Sequence, residues 1–149
     1  MSGAKHYSVS RTINASPEVV WALLTDASTY HDWNPAVISI SGTMAVGSTV
    51  ELVSVADPKR TFRPRVTTLE PPERMVWSDG MPLGLFRGTR TFLLSRAEAR
   101  TEFSMTEEFA GPLSGLITRS IPDLTASFEQ FADGLRSAAE RVAARGQHS

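Results

Sequence analysis

The sequence contains no cysteine, which excludes disulfides, thiolate metal sites and cysteine catalysis. It also lacks an excess of either charge: 15 Lys and Arg stand against 16 Asp and Glu, so no basic field would draw it to nucleic acid or anionic lipid. No segment is apolar enough for long enough to span a membrane, and the N-terminus has no leader-like pattern. We therefore expect a cytoplasmic protein that neither binds nucleic acid nor inserts into a membrane.

Metal and cofactor signatures are missing as well. The three histidines, His6, His31 and His148, are scattered, and none belongs to a paired His-x-x-x-His spacing. The glycines that recur from Gly80 to Gly88 are followed by no helix that could present its N-terminus to a phosphate. We expect neither a metal nor a cofactor.

The first part of the chain changes from strand to helix. Apolar and polar residues alternate up to Ile13, which predicts a strand with one buried face. Pro17 then suits the first position of a short helix, which should end near Asp26. One more helical turn is expected over residues 27–30, and residues 31–35 should form a loop because Pro35 disfavours helical geometry in the residue before it.

Residues 37–109 have the pattern of strands separated by turns. The predicted strands cover residues 37–41, 49–55, 61–69, 75–78, 86–95 and 101–109. Pro64 lies within the third of these and indicates a bulge or an edge there. Because no helix intervenes, the sheet should be antiparallel.

A long helix with one apolar stripe is predicted over residues 112–145. The stripe consists of Ile117, Ile121, Leu124, Phe128, Phe131, Leu135, Ala138 and Val142. Pro122 removes one backbone N–H and should kink or restart the helix, while Gly134 weakens its middle.

The order of elements predicts the α+β class. An antiparallel sheet of about seven strands needs a cover for its dry face, and the striped helix is the only element long enough to provide it. We expect one domain over residues 1–149, ordered from about residue 5 to 145, with a loose tail at 146–149.

Three stretches resemble the START-like superfamily, which includes the polyketide cyclase and dehydrase or lipid transport proteins and the major pollen allergens. They are INASPEVVWALLTD at 13–26 with WNP at 33–35, LGLFRGTRT at 83–91, and residues 109–131, which hold FAGPLSGLITRSIPDL and then SFEQF. The resemblance implies a helix-grip fold with a cavity between the sheet and the long helix, used in relatives for sterols, lipids, polyketides or hormones. It does not fix an activity, since relatives include binders, carriers, co-chaperones and enzymes.

The last two predicted strands bring two opposite charges together. If Glu98 and Ala99 form a two-residue turn, Arg90 lies opposite Glu107 on an otherwise apolar face. Arg11 could join this pair if the first strand lies beside the last, as it does in the family. The pair could hold a carboxylate, phenol or enolate, but it could also be structural, or face outward if the turn is shifted by one residue.

Two other segments are candidates for the cavity mouth. His31 and Trp33 lie in a connection that borders the mouth in relatives, where His31 could move protons and Trp33 could close the opening or be part of the core. The loop over residues 79–85 carries Met81 and Leu85, and it could be a lid, a dimer contact or a buried loop.

The first hypothesis is the binding of a small lipophilic molecule of lipid, polyketide or aromatic type. The expected ligand-binding residues are Arg11, Trp33, Trp77, Met81, Leu85, Arg90, Phe92, Met105, Glu107, Ile117, Ile121, Leu124 and Phe128. An alternative is a polyketide cyclase or dehydratase, with Glu107 or His31 as candidate catalytic groups. A third is an interaction protein associated with a chaperone. The protein is expected to be a monomer or a homodimer.

Overall fold

The computed structural model describes residues 6–146, so position 5 and residues 147–149 of the predicted tail lie outside the described residues, whereas Gly146, the first residue of that tail, is helical. Its elements are β1 (His6–Ile13), α1 (Pro17–Leu24), α2 (Tyr30–Trp33), β2 (Val37–Ser41), β3 (Glu51–Ser54), β4 (Arg65–Glu70), β5 (Arg74–Gly80), β6 (Arg87–Ala97), β7 (Arg100–Ala110), α3 (Ser114–Thr118) and α4 (Thr125–Gly146). Single 3-10 turns lie at Ala27–Thr29 and Pro82–Gly84. This order confirms the predicted α+β class.

The strands form a curved antiparallel sheet. Five of them pair in the order β1-β7-β6-β5-β4, and β2 pairs with β3. The two groups are joined through the irregular segment before β4: Leu52 and Phe62 exchange backbone hydrogen bonds, and the Val50 amide donates to the Pro64 carbonyl over 2.9 Å. Pro64 therefore lies outside a regular strand, and the register of β4 against β5 shifts just beyond it, between Val66 and Thr68.

The β6–β7 hairpin has the predicted turn. Strand β6 ends before Glu98 and β7 begins after Ala99, and Arg90 pairs with Glu107 in the resulting register. Glu98 has a φ of 61°, which lets the chain reverse within two residues. Phe92 lies opposite Met105, so the inner face of the hairpin is apolar on one side of the charged pair.

The segment after β1 folds as two short helices. The Ser16 side chain accepts a hydrogen bond from the Val19 amide, and Pro17 occupies the first turn of α1. The predicted loop at residues 31–35 is wrong in its first half, because Tyr30–Trp33 is helical. Burial explains the difference: Tyr30 is fully buried and Trp33 is 6% exposed, so tertiary packing outweighs the weak local preference.

The predicted helix over residues 112–145 is interrupted. Helix α3 ends at Thr118, and α4 begins only at Thr125. Pro122 lies in the gap, where its missing N–H breaks no helical hydrogen bond, and the Asp123 side chain accepts from the Thr125 amide over 2.9 Å at the restart. The helix restarts after Pro122, as predicted, rather than continuing through a kink.

Helix α4 covers the concave face of the sheet. Phe128, Phe131 and Leu135 are buried along its inner side, whereas Val142, the last member of the predicted stripe, is 41% exposed. Gly134 brings the helix close to the end of α2: a Cβ atom at this position would lie 2.1 Å from the Trp33 carbonyl oxygen. The architecture is the helix-grip fold, with α4 held across the curved sheet.

Candidate functional site

A cavity of about 350 Å³ lies between the sheet and the helices that cover it. Its wall is mainly apolar and aromatic, with Phe62, Phe86, Phe109 and Phe128 among the lining residues. The segment around the break between α3 and α4 closes one side, through Ile117, Ile121, Pro122 and Leu124. The interrupted helix thus contributes a wall of this space as well as core packing.

A row of residues from adjacent strands crosses the concave face of the sheet. Trp77 on β5 pairs with Arg90 on β6, Arg90 pairs with Glu107 on β7, and Glu107 pairs with Tyr7 on β1. Directly opposed residues in antiparallel strands point to the same face of a sheet. The row therefore places a cation and an anion side by side on the inner face, and both line the cavity.

The Arg90–Glu107 pair is short and largely buried. Arg90 Nε donates to Glu107 Oε1 over 2.7 Å, and the two side chains are 18% and 11% exposed. The guanidinium carbon also lies 4.8 Å from the centre of the Phe128 ring, a cation–π contact between the sheet and α4. These contacts fix the guanidinium between a carboxylate and an aromatic face.

Part of the hydrogen-bonding capacity of this pair is unused by the described residues. Within residues 6–146, only one of the five Arg90 N–H groups has an acceptor, and no donor reaches Glu107 Oε2. Gly88 leaves room for that oxygen, because a Cβ there would lie 3.1 Å from Oε2 and 3.3 Å from a ring carbon of Phe109. Gly88 lines the cavity too, so Oε2 lies next to the cavity wall.

Further charged side chains line the cavity near the loop between β3 and β4. Arg60 pairs with Asp57 at 3.4 Å and lies 5.7 Å from the centre of the Phe62 ring. Asp79 accepts a hydrogen bond from the adjacent Gly80 amide over 2.8 Å. The lining therefore carries three carboxylates and two guanidinium groups, and its formal charge is negative by one.

Most of the predicted ligand-binding residues reach this cavity. Those that line it are Trp77, Arg90, Met105, Glu107, Ile117, Ile121, Leu124 and Phe128. Their alternation on the strands and their spacing along the helical segments place them on inward faces. Their contact with a ligand stays a prediction.

Arg11 does not join the charged pair. It lies opposite Phe103 rather than Glu107, because antiparallel pairing of β1 with β7 places Tyr7 at that position. Arg11 Nε instead donates to Asp133 of α4 over 2.7 Å, outside the cavity lining. This hydrogen bond raises the pKa of Arg11 and lowers the pKa of Asp133, so Arg11 connects β1 to the helix.

Trp33 and Phe92 belong to the core rather than to the cavity wall. Trp33 donates from Nε1 to Thr29 over 3.0 Å, and its ring centre is 5.6 Å from that of Phe131. Phe92 is fully buried, with its ring centre 4.8 Å from Trp77 and 5.9 Å from Phe131. Both residues point inward as predicted, but neither is among the residues that line the cavity.

His31, predicted to border the cavity mouth, does not line the cavity. The His31 side chain is 77% exposed, lies 3.1 Å from the Asp32 carboxylate and is not among the residues that line the cavity, so its catalytic role stays a prediction. Helical geometry in α2 turns it to the outside while Trp33 is buried.

In the loop over residues 79–85, the predicted ligand-binding residues Met81 and Leu85 do not line the cavity. Met81 is 40% exposed and outside the lining, and the Leu85 carbonyl accepts from the Leu113 amide over 2.9 Å. Gly80 and Phe86, at the two ends of the same loop, are the residues that line the cavity. The Met81 amide donates to the Phe86 carbonyl, which closes the loop on itself.

Sequence reasoning missed several lining residues. Phe109 follows Met105 and Glu107 at a spacing of two, so strand alternation could have identified it. Phe62, Asp57 and Arg60 carry no such signal, because they lie in the irregular connection between β3 and β4. Only the tertiary fold brings that connection to the cavity.

Within the described part of the chain, no cluster of three potential metal ligands is found. No helix among residues 6–146 has the length and apolarity needed to cross a membrane. The expected absence of a cofactor stays a prediction.

Several solved structures share this architecture at low sequence identity. The Zhui aromatase/cyclase from Streptomyces sp. R1128 is 17% identical, with a TM-score of 0.72 over 93% of this chain and 94% of that one. Norcoclaurine synthase from Thalictrum flavum is 12% identical, with a TM-score of 0.69 over 93% and 96%. A protein from Rhodobacter sphaeroides is 23% identical, with a TM-score of 0.70 over 95% of each chain. These likenesses show the fold.

Comparison with curated protein sequences gives no match. A protein-family model matches residues 4–140, and the family is described as polyketide cyclase / dehydrase and lipid transport. Since the match covers nearly the whole sequence, the chain belongs to the polyketide cyclase / dehydrase and lipid transport family.

Proposed function

We propose that this protein binds a small, mainly apolar molecule in the cavity between the sheet and α4. The observation that carries the proposal is the cavity itself. Protein interiors are packed as densely as organic crystals and leave few voids larger than a water molecule. A space of about 350 Å³ lined by aromatic rings and a few polar groups has instead the size and composition of a ligand site.

A second candidate function is a cyclase or dehydratase that acts in the same cavity. The observation in its favour is the Arg90–Glu107 pair, which places a carboxylate and a guanidinium group beside the space where a substrate would lie. The Zhui relative is named as an aromatase/cyclase. In that case Glu107 would act as a general acid or base, and Arg90 would polarise an oxygen atom of the substrate. A role beside a chaperone would need none of these groups and has no comparable support.

The cellular location, the oligomeric state and the partner of the protein follow from its sequence as predictions. A cytoplasmic location and a monomeric or homodimeric state stay predictions. The proposed partner is a small lipophilic molecule, and the balanced charge of the chain gives no reason to add nucleic acid.

Mass spectrometry under non-denaturing conditions tests the proposal on protein purified from its own host. We expect an added mass that disappears on denaturation. Ligand that fills the site also stabilises the fold, by about 2.7 kcal/mol at one hundred times its Kd, so a matching compound should raise the Tm.

A panel of sterols, fatty acids, flavonoids and polyketides supplies the compounds for that thermal measurement. Protein that is always empty and whose Tm responds to no member of the panel would contradict the proposed function.

A further inference from the structure

Among residues 6–146, each arginine that lines the cavity is already paired with a carboxylate. Arg90 is paired with Glu107 at 2.7 Å, and Arg60 is paired with Asp57 at 3.4 Å. The third carboxylate, Asp79, has no arginine or lysine partner among residues 6–146. A ligand carboxylate would therefore compete with a carboxylate that is already in place, and it would enter a wall of like net charge.

The unused hydrogen-bonding groups of the same pair define what would fit. Arg90 has remaining N–H donors, and Glu107 Oε2 is a remaining acceptor beside Gly88. A hydroxyl group can accept a hydrogen bond from Arg90 and donate one to Glu107 Oε2. A ketone can only accept, and an ammonium group can only donate, so either would leave one side unpaired.

Two aromatic rings lie close to this polar position. Phe128 stands 4.8 Å from the Arg90 guanidinium carbon, and Phe109 approaches the space above Gly88. Both rings line the cavity. An apolar body attached to the polar group would thus lie beside aromatic side chains, which suits a flat ring system.

We infer that the ligand carries an uncharged hydroxyl group on an apolar body, and that the cavity discriminates against carboxylates. The hydroxyl donates to Glu107 Oε2 and accepts from Arg90. This inference rests on the proposed function and narrows it, since lipids with a free acid group are excluded as preferred ligands while alcohols and phenols are retained.

Two probes with the same naphthalene body test the inference by calorimetric titration at neutral pH. The first is 2-naphthol, which is uncharged, and the second is 2-naphthoate, which is anionic. We expect the wild-type protein to bind 2-naphthol at least about tenfold more tightly, because only the anion meets like charge in the largely apolar cavity.

The variant Glu107→Gln then tests the cause. It removes the competing negative charge and leaves the positive charge of Arg90 uncompensated, so affinity for 2-naphthoate should rise by about tenfold. The preference for 2-naphthol over 2-naphthoate should then fall or reverse. Glu108→Gln is the matched control, because Glu108 is exposed on the other face of β7. It should change neither affinity.

The outcomes separate this inference from the proposed function. Wild-type protein that binds 2-naphthoate as tightly as 2-naphthol, or more tightly, would overturn the inference and leave a hydrophobic binding site standing. If neither probe binds, the inference fails, and the proposed function is decided separately by mass spectrometry and the thermal panel. If Glu107→Gln does not fold, as judged by circular dichroism, the inference is tested by comparing the affinities of the two probes for wild-type protein alone.

Discussion

Replacing Gly134 by alanine is expected to destabilise the protein by about 2 to 3 kcal/mol. Helix propensity alone predicts the opposite, a gain of about 1 kcal/mol from alanine in a helix interior. The new Cβ atom would lie 2.1 Å from the Trp33 carbonyl oxygen and 3.0 Å from the Pro35 ring. Because the nearer atom belongs to the backbone, no side-chain rotation relieves the contact, and α4 has to move away from α2.

Chemical denaturation of Gly134→Ala measures this effect as a change in the free energy of unfolding. Ser137→Ala is the control, since Ser137 is exposed on the same helix and its replacement should change stability by less than about 0.5 kcal/mol. A variant Gly134→Ala that is more stable than the wild type would show that α4 does not approach Trp33 as closely as described.

Replacing Arg90 by methionine is expected to cost about 3 kcal/mol of stability. The substitution leaves the Glu107 carboxylate, 11% exposed, without its partner, and it also removes the contact with the Phe128 ring. Most of the cost should come from the isolated buried charge rather than from the lost attraction. The double variant Arg90→Met with Glu107→Gln should therefore recover most of the lost stability.

The control for this prediction is Arg96→Met. Arg96 and Glu18 form a pair of similar length, 2.6 Å, but both side chains are more than half exposed, and such exposed pairs contribute little to stability. The three variants are compared by urea denaturation. Equal costs for Arg90→Met and Arg96→Met, or no recovery in the double variant, would contradict a buried site for the Arg90–Glu107 pair.

The charged pair could be predicted from sequence because its geometry is local. Two alternating runs flank Glu98 and Ala99, and a two-residue turn fixes the register of everything on the hairpin, including Arg90 opposite Glu107. The helix restart was predictable for the same reason, since Pro122 acts on its own backbone. Local chemistry determined both features.

Other features depend on how distant elements meet. Alternation shows that Phe92 faces inward, but it does not show whether a helix residue or an empty space lies opposite, and Phe131 packs there. Arg11 pairs with Asp133, more than a hundred residues away in the sequence, only because α4 packs against β1 at Arg11. The segment with Arg60 carries no periodic pattern, so its place at the cavity had to come from the structure.

The central claim is that the space between the sheet and α4 is where a ligand binds, and two serines of α4 allow a direct test. Ser127 lines the cavity and is 9% exposed, whereas Ser137 lies on the outer side of the same helix. The affinity of 2-naphthol is measured for Ser127→Trp and Ser137→Trp, after circular dichroism shows both to be folded. We expect Ser127→Trp to fill the cavity and weaken binding by at least about tenfold, and Ser137→Trp to bind as the wild type does. Equal binding by all three proteins would contradict the claim.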